Sequence, residues 1–331
     1  MMASSRHFEL LLVLVLSLVP NLDAFALRQP AIRARAVTAT RSTVLSNDGA
    51  NDWLVVPDIW DSLSKRSPNA PMLCDPIHGA TTELSCGQFS EYVNAAAWGL
   101  QKVGTRPGDC VSMFAENSHR WLIVDQAVMK AGGCNAVRGA TRPSWDELRF
   151  IYDNSRSNAL VLDTPSLIDP LFDASVPGNP LRERPPAFVV VLFSRDLTGP
   201  ELAATTCLRG MPAVKVLSFE ELLAAGYAAK DEFQLPPRDP EATATLVYTS
   251  GTTALPKGAI LSHKNLLYQV VSNTFGQRMD PTPGDIFLSI LPVWHIFERS
   301  AEYFCLARGA RMVRFSSFCC PRSAGGGAAL I

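Results

Sequence analysis

Cys110-Val111-Ser112-Met113-Phe114-Ala115-Glu116-Asn117-Ser118-His119-Arg120-Trp121-Leu122-Ile123-Val124-Asp125, continuing to Gly132-Gly133, is the stretch that decides the fold class. Its first six residues are a short apolar run and predict a strand, entered through the Pro107-Gly108-Asp109 turn. Trp121, Val124, Asp125, Val128 and Met129 then recur at helical spacing and predict a helix with an apolar stripe, closed by Gly132-Gly133. The alternation continues downstream. Ser144-Trp145-Asp146-Glu147 is a capping box that opens a helix through Tyr152, and residues 158–162 and 187–193 read as strands, the latter nearly all apolar and β-branched. Residues 214–217 read as a further strand, running into a second capping box, Ser218-Phe219-Glu220-Glu221. Strand and helix alternating at this spacing predict right-handed βαβ units: an α/β fold with mixed or largely parallel sheets and flanking helices. The Pro-rich patches at 165–186 and 236–240 read as surface connections, and no repeat of 20 to 50 residues is present.

Composition bounds the function. Of 331 residues, 47% are hydrophobic and 18% charged, the balance of a globular chain with a large core. A net charge of -1, with acidic and basic residues interspersed, gives no electrostatic reason to bind nucleic acid. The eight cysteines include no Cys-x-x-Cys and no zinc-ligand spacing, so they read as scattered, buried thiols and imply a reducing compartment.

The N-terminus carries its own signals. Arg6 and His7 precede an apolar run of about ten residues, too short to span a bilayer and suited to a signal peptide over residues 1–24. Residues 25–48 hold Arg28, Arg33, Arg35 and Arg41 among threonines and serines, as in a transit peptide. The pair resembles the two-part leaders of algae with complex plastids, with Phe25 near the junction. This predicts plastid delivery, with secretion or an endomembrane location as the alternative. No later stretch is apolar for about 20 residues, so no transmembrane helix is expected in the mature chain.

The chemistry is concentrated in Tyr248-Thr249-Ser250-Gly251-Thr252-Thr253-Ala254-Leu255-Pro256-Lys257-Gly258. A strand over 243–248 leads into six residues with four hydroxyls and one glycine, followed after Pro256 by Lys257, Gly258 and a short strand at 259–261 that runs into a helix capped by Ser262. Small residues let backbone N–H groups approach a polyphosphate, hydroxyls add donors, and a lysine ammonium neutralises charge as pyrophosphate departs. Composition alone also fits an ordinary solvated loop between strands. The common P-loop is excluded, because here the lysine precedes its glycine.

This run resembles the phosphate-binding loop of the acyl-adenylate-forming (AMP-binding) superfamily, which includes acyl-CoA synthetases, peptide-synthetase adenylation domains and firefly luciferase. That family's pattern is Tyr/Phe-Thr-Ser-Gly-Ser/Thr-Thr-Gly-x-Pro-Lys-Gly. Ala254 replaces a glycine of the pattern, which strains the turn by about 1 kcal/mol if that position needs a left-handed backbone. The likeness extends over about residues 53 to 317, through Thr81 to Leu100 and through Gly104 to Ala131, and Asn135-Ala136-Val137-Arg138-Gly139 more closely resembles the plastid and cyanobacterial long-chain acyl-CoA or acyl-carrier-protein synthetase branch.

The resemblance implies a function: ATP-dependent activation of a long-chain fatty acid to an acyl-adenylate, then transfer to CoA or acyl-carrier protein. It assigns nucleotide contacts to Thr249, Ser250, Gly251, Thr252, Thr253, Lys257 and Gly258. Leu291-Pro292-Val293-Trp294-His295-Ile296-Phe297-Glu298-Arg299 resembles the next family motif, which implies that His295 stands near the substrate carboxylate. By itself His295 reads equally as a helix-start or core histidine. Trp294 and Phe297 read either as an acyl-chain wall or as core. Glu298 and Glu302, four apart on a helix predicted over 296–306, read either as a carboxylate pair or as partners of Arg299 and solvent. A strand is predicted over 311–315. The family's magnesium-holding glutamate, its ribose-binding aspartate and its small C-terminal domain have no counterpart before residue 331. The expected domain is therefore an incomplete N-terminal domain of the adenylate-forming fold, a partial adenylation domain over 49–317 with no metal ligand of its own. The off-pattern tail over 318–331 reads as a translated intron or frameshift, or as a natural short form, and on these grounds the chain is either a ligase portion or a non-catalytic fragment. An activator of another carboxylic acid is the third reading.

Overall fold

The computed structural model describes residues 52–76, 81–140, 144–249, 255–271 and 281–314. The expected leader and the tail over 318–331 lie outside these residues, as do Ser250, Gly251, Thr252, Thr253 and Ala254. The described residues all belong to one compact unit, Asp48–Ile331.

The opening stretch folds as read. Strand β3 (Cys110–Phe114) runs into helix α3 (His119–Lys130), whose N-terminus is capped by the Ser118 hydroxyl accepting the Trp121 N–H. Around β3 a seven-stranded sheet assembles in the order β7-β6-β5-β3-β4-β8-β9. Its strands are β4 (Cys134–Arg138), β5 (Ala159–Leu162), β6 (Phe188–Val191), β7 (Lys215–Ser218), β8 (Thr243–Thr249) and β9 (Lys257–Ser262). All neighbours are parallel except β8 and β9, which form an antiparallel hairpin. Chain order reverses at β3, with β4 on one side and β5 on the other, so the carboxyl edge of the sheet has a topological switch point there, where open α/β sheets take ligands.

The strand period of two divides the core. Val111, Met113, Ala159, Val161, Phe188 and Val190 face one hydrophobic cluster, while Phe114, Leu160, Leu162, Val189 and Val191 face the other. The first cluster is covered by α1 (Asp58–Arg66), α2 (Cys86–Val103), α3 and, further on, α6 (Phe219–Ala229). On this side α2 and α6 cross closely because Gly99 and Gly226 carry no side chain: a Cβ on Gly226 would lie 1.8 Å from the Ala95 carbonyl oxygen.

The second cluster is covered by α4 (Trp145–Asn154) and by residues 165–183. The expectation of a surface connection at 165–186 is corrected here. A 3-10 turn and two short helices lie in that segment and bury Leu167, Ile168, Leu171, Phe172 and Leu181, because the sheet face beneath would otherwise be exposed. Helix α5 (Gly199–Thr205) then leads to β7.

A four-stranded sheet in the order β10-β11-β1-β2 holds the remaining strands: β1 (Pro71–Asp75), β2 (Thr82–Ser85), β10 (Ile286–Ser289) and β11 (Arg311–Arg314). Helices α7 (His263–Val271) and α8 (Ile296–Ala307) complete the described elements, α7 opening at Ser262, whose hydroxyl accepts the Asn265 N–H. Of the described cysteines, Cys74, Cys86, Cys110, Cys134 and Cys305 are buried, Cys207 is half-buried, and all are free thiols. No helix among the described residues is long and apolar enough to cross a membrane.

Candidate functional site

The β8–β9 hairpin carries the candidate phosphate loop at its mouth. Thr249 lies opposite Lys257 and Tyr248 opposite Gly258, so β9 begins two residues earlier than its apolar run suggests. Thr249 and Lys257 are both exposed, and the Thr249 hydroxyl reaches the Lys257 carbonyl at 3.5 Å. Gly258 has a second, structural reason to be glycine: a Cβ there would lie 2.9 Å from the Tyr248 ring. That ring is buried, its hydroxyl donates to Asn154 Oδ1 (2.8 Å), and burial pushes its pKa up to about 12. The aromatic residue at the head of the loop thus anchors the hairpin to α4.

The turn before α8 reaches the same edge of the sheet. Asn117, just past β3, donates from Nδ2 to the Leu291 carbonyl (2.7 Å) and accepts the Val293 N–H at Oδ1 (3.0 Å). The Trp294 indole lies against Gly139, just past β4, where a Cβ would be 2.4 Å from Cζ2. Since β4 pairs in parallel with β8, Gly139 sits one strand away from the start of the phosphate loop. Trp294 therefore packs on the first core cluster at the sheet edge. His295 is exposed and caps α8, its Nδ1 accepting the Phe297 N–H at 3.3 Å. In a neutral ring this bond leaves the proton on Nε2, so the imidazole is a donor to whatever it faces. The described site residues, Thr249, Lys257, Gly258 and His295, thus come from two elements that meet the carboxyl edge of adjacent strands.

Behind the turn lies a buried polar network. Arg299, fully buried on α8, is ion-paired with Asp125 of α3 and donates to Thr245 Oγ1 on β8 (2.8 Å) and Asn135 Oδ1 on β4 (3.1 Å). The Tyr303 hydroxyl accepts from Arg299 Nε (3.0 Å) and donates to Asp125, and Gln126 connects both to the Trp60 indole N–H. The expectation that Arg299 partners Glu298 or Glu302 is corrected: the charge at 125 claims it. Glu302 instead holds Arg314 of β11 (2.9 Å) and the Ser289 hydroxyl (2.7 Å). Glu298 accepts the Ile290 N–H at 3.1 Å, and burial, reinforced by Glu302, pushes its pKa up to about 7. Neither carboxylate faces solvent.

A cavity of about 640 Å³ opens elsewhere, over the ends of β5, β6 and β7, between Arg120, Phe193, Thr198 and Glu220. Two strands, β3 and β4, separate it from the hairpin. No group of three or more His, Cys, Asp or Glu among the described residues is placed to hold a metal ion, and the hairpin mouth offers hydroxyls and an ammonium rather than carboxylates.

The AMP-binding enzyme family model matches residues 60–325. The chain belongs to the AMP-binding enzyme family. It is 33% identical over 284 residues to the chloroplastic long-chain-fatty-acid–[acyl-carrier-protein] ligase AEE15 of Arabidopsis thaliana, a match that covers 82% of this chain and 37% of that protein. It is 34% identical over 269 residues to "Probable acyl-activating enzyme 16, chloroplastic" of the same plant, covering 78% of this chain and 35% of the relative. The chain thus spans about a third of the length of these AMP-binding relatives. Among solved structures, the A domain of a carboxylic acid reductase from Segniliparus rugosus, in complex with AMP and a co-purified carboxylic acid, superposes with a TM-score of 0.66 at 18% identity, over 80% of this chain and 45% of that one. At that identity the likeness bears on the fold, and it agrees with the N-terminal adenylating architecture expected from the sequence.

Proposed function

We propose that this chain supplies the phosphate-binding and carboxylate-orienting part of an ATP-dependent ligase that activates a long-chain fatty acid. The observation that carries the reading is the convergence of two segments on one sheet edge: the hairpin mouth with Thr249 opposite Lys257, and the turn bearing His295 seated on Gly139 one strand away. In this reading the fatty carboxylate attacks the α-phosphorus of ATP, an O–P bond forms, and the bond to pyrophosphate breaks. The Lys257 ammonium and the hydroxyls of Thr249, Ser250, Thr252 and Thr253 stabilise charge on the phosphates, while Gly251 and Gly258 keep the backbone close. The Nε2–H of His295 orients the carboxylate. A thiol then takes the acyl group and AMP leaves. The chloroplastic acyl-carrier-protein ligase among the relatives supports acyl-carrier protein as acceptor ahead of CoA, and with the arginine-rich leader it supports delivery to a plastid.

ATP–pyrophosphate exchange with palmitate tests the reading. Exchange by the 331-residue chain that falls by about 100-fold or more in Lys257→Ala, the scale of losing one charge-stabilising donor, supports it. The exposed hairpin mouth by itself also fits a second reading, nucleotide binding without catalysis. It predicts Lys257-dependent binding of a fluorescent ATP analogue with no exchange. Neither binding nor exchange would refute both.

A further inference from the structure

We propose that Asn117 is a positioning residue for this reaction: its carboxamide ties the turn at 291–295 to the end of β3 and so sets where His295 stands. The proposal rests on the role given to His295 above. The two bonds of the carboxamide run in opposite senses, Nδ2–H to the Leu291 carbonyl and the Val293 N–H to Oδ1. Backbone C=O and N–H groups two residues apart are what a neighbouring β-strand would satisfy, and a planar amide carries one donor edge and one acceptor edge to match. Asn117 is itself firmly placed. It follows β3, which is paired on both sides, and precedes Ser118, which caps α3.

The turn is otherwise held by its own neighbours: Glu298 on the Ile290 N–H, the Pro292 carbonyl on the His295 N–H, and Trp294 packed on Gly139. Glu298 and Pro292 belong to the same stretch of chain as His295 and would travel with it. The packing on Gly139 is apolar and carries no direction. Asn117 supplies a directional bond from the sheet itself. Val293 between the two bonds is fully buried, so any slip of the turn also disturbs the core.

The structural arm of the test is hydrogen exchange at the Val293 amide of the 331-residue chain. Asn117→Ala raises that exchange rate about tenfold, the scale of one lost hydrogen bond. Asn117→Leu, nearly isosteric and with neither donor nor acceptor, does the same, and it stands in should the alanine variant fail to fold. An unchanged Val293 rate in a folded variant overturns the tie. The functional arm is a double-mutant cycle with His295→Ala, read as affinity for palmitoyl-sulfamoyl-adenosine, a non-hydrolysable acyl-adenylate analogue. Each single variant weakens binding, and Asn117→Ala in the His295→Ala background adds nothing, since Asn117 acts through the imidazole. Multiplicative losses mean a general structural role and overturn the proposal. If the unsubstituted chain binds no analogue, the reading of His295 fails, and the positioning role with it; the Val293 rate still decides whether the tie exists.

Discussion

Replacing Glu298 by glutamine will stabilise this protein above neutral pH. Glu298, Glu302 and Arg314 meet where α8 crosses β10 and β11, two carboxylates against one guanidinium. Glu302 takes both terminal Arg314 nitrogens, and burial together with the Glu302 charge outweighs the pull of Arg314, so Glu298 keeps its proton up to about pH 7. The sign follows by linkage. An unfolded chain releases this proton near the ordinary 4.5, and the folded chain near 7. Between those values the folded state binds more protons, so stability is full below about pH 4.5, falls as pH rises, and is flat above about 7. At about 1.4 kcal/mol per pH unit, the loss is about 3 kcal/mol. Glutamine stays neutral at every pH and still accepts the Ile290 N–H. In urea titrations followed by tryptophan fluorescence, Glu298→Gln should therefore gain about 3 kcal/mol over the parent at pH 8.5 and about 1 kcal/mol or less at pH 5. Equal gains at both pH values, or a loss at pH 8.5, would refute the assignment of the proton to Glu298.

Two further outcomes follow from the core. Arg299→Met leaves Asp125 buried without its cation and should cost about 3–5 kcal/mol, whereas the double replacement Asp125→Leu with Arg299→Met should recover much of it; urea midpoints of the single and double variants decide. Gly226→Ala drives a methyl into the Ala95 carbonyl and forces α2 and α6 apart, at a cost of about 1–3 kcal/mol by thermal or urea unfolding, while Gly104→Ala, whose Cβ would meet nothing, tests by contrast the cost of its left-handed backbone alone.

The parallel sheet was legible because its strands obey simple rules. Residues 159–162 and 187–193 are apolar without interruption, as burial on both faces requires, and Ser144 and Ser218 cap the helices they were expected to open. The hairpin loop was legible for a different reason: its composition alone fits a solvated loop, and the resemblance of the run from Tyr248 to Gly258 to the family's phosphate-binding pattern is what singled it out. Lys257 and Thr249 do stand opposite each other, and residues 250–254 between them lie outside the described residues. Residues 165–186 were misjudged because proline marks turns but says nothing of what lies beneath, and five apolar side chains there fill a sheet face.

Arg299 is the more instructive case, since the signal for its true partner was present. Asp125 falls on the apolar stripe of α3, between Trp121 and Val128, where a carboxylate is costly unless paired. A stripe position that tolerates aspartate predicts a buried cation from another element, and Arg299 on the equally apolar α8 is that cation. Spacing along one helix suggested Glu298 and Glu302 as its partners, but Glu302 is held by Arg314 and the Ser289 hydroxyl and Glu298 by the Ile290 N–H, whereas Asp125 without a cation would be a buried, unpaired charge. Asp125 therefore takes the arginine. The pairing also ties the helix capped by His295 to β4 and β8 through Asn135 and Thr245, so the elements that frame the candidate site share one polar core.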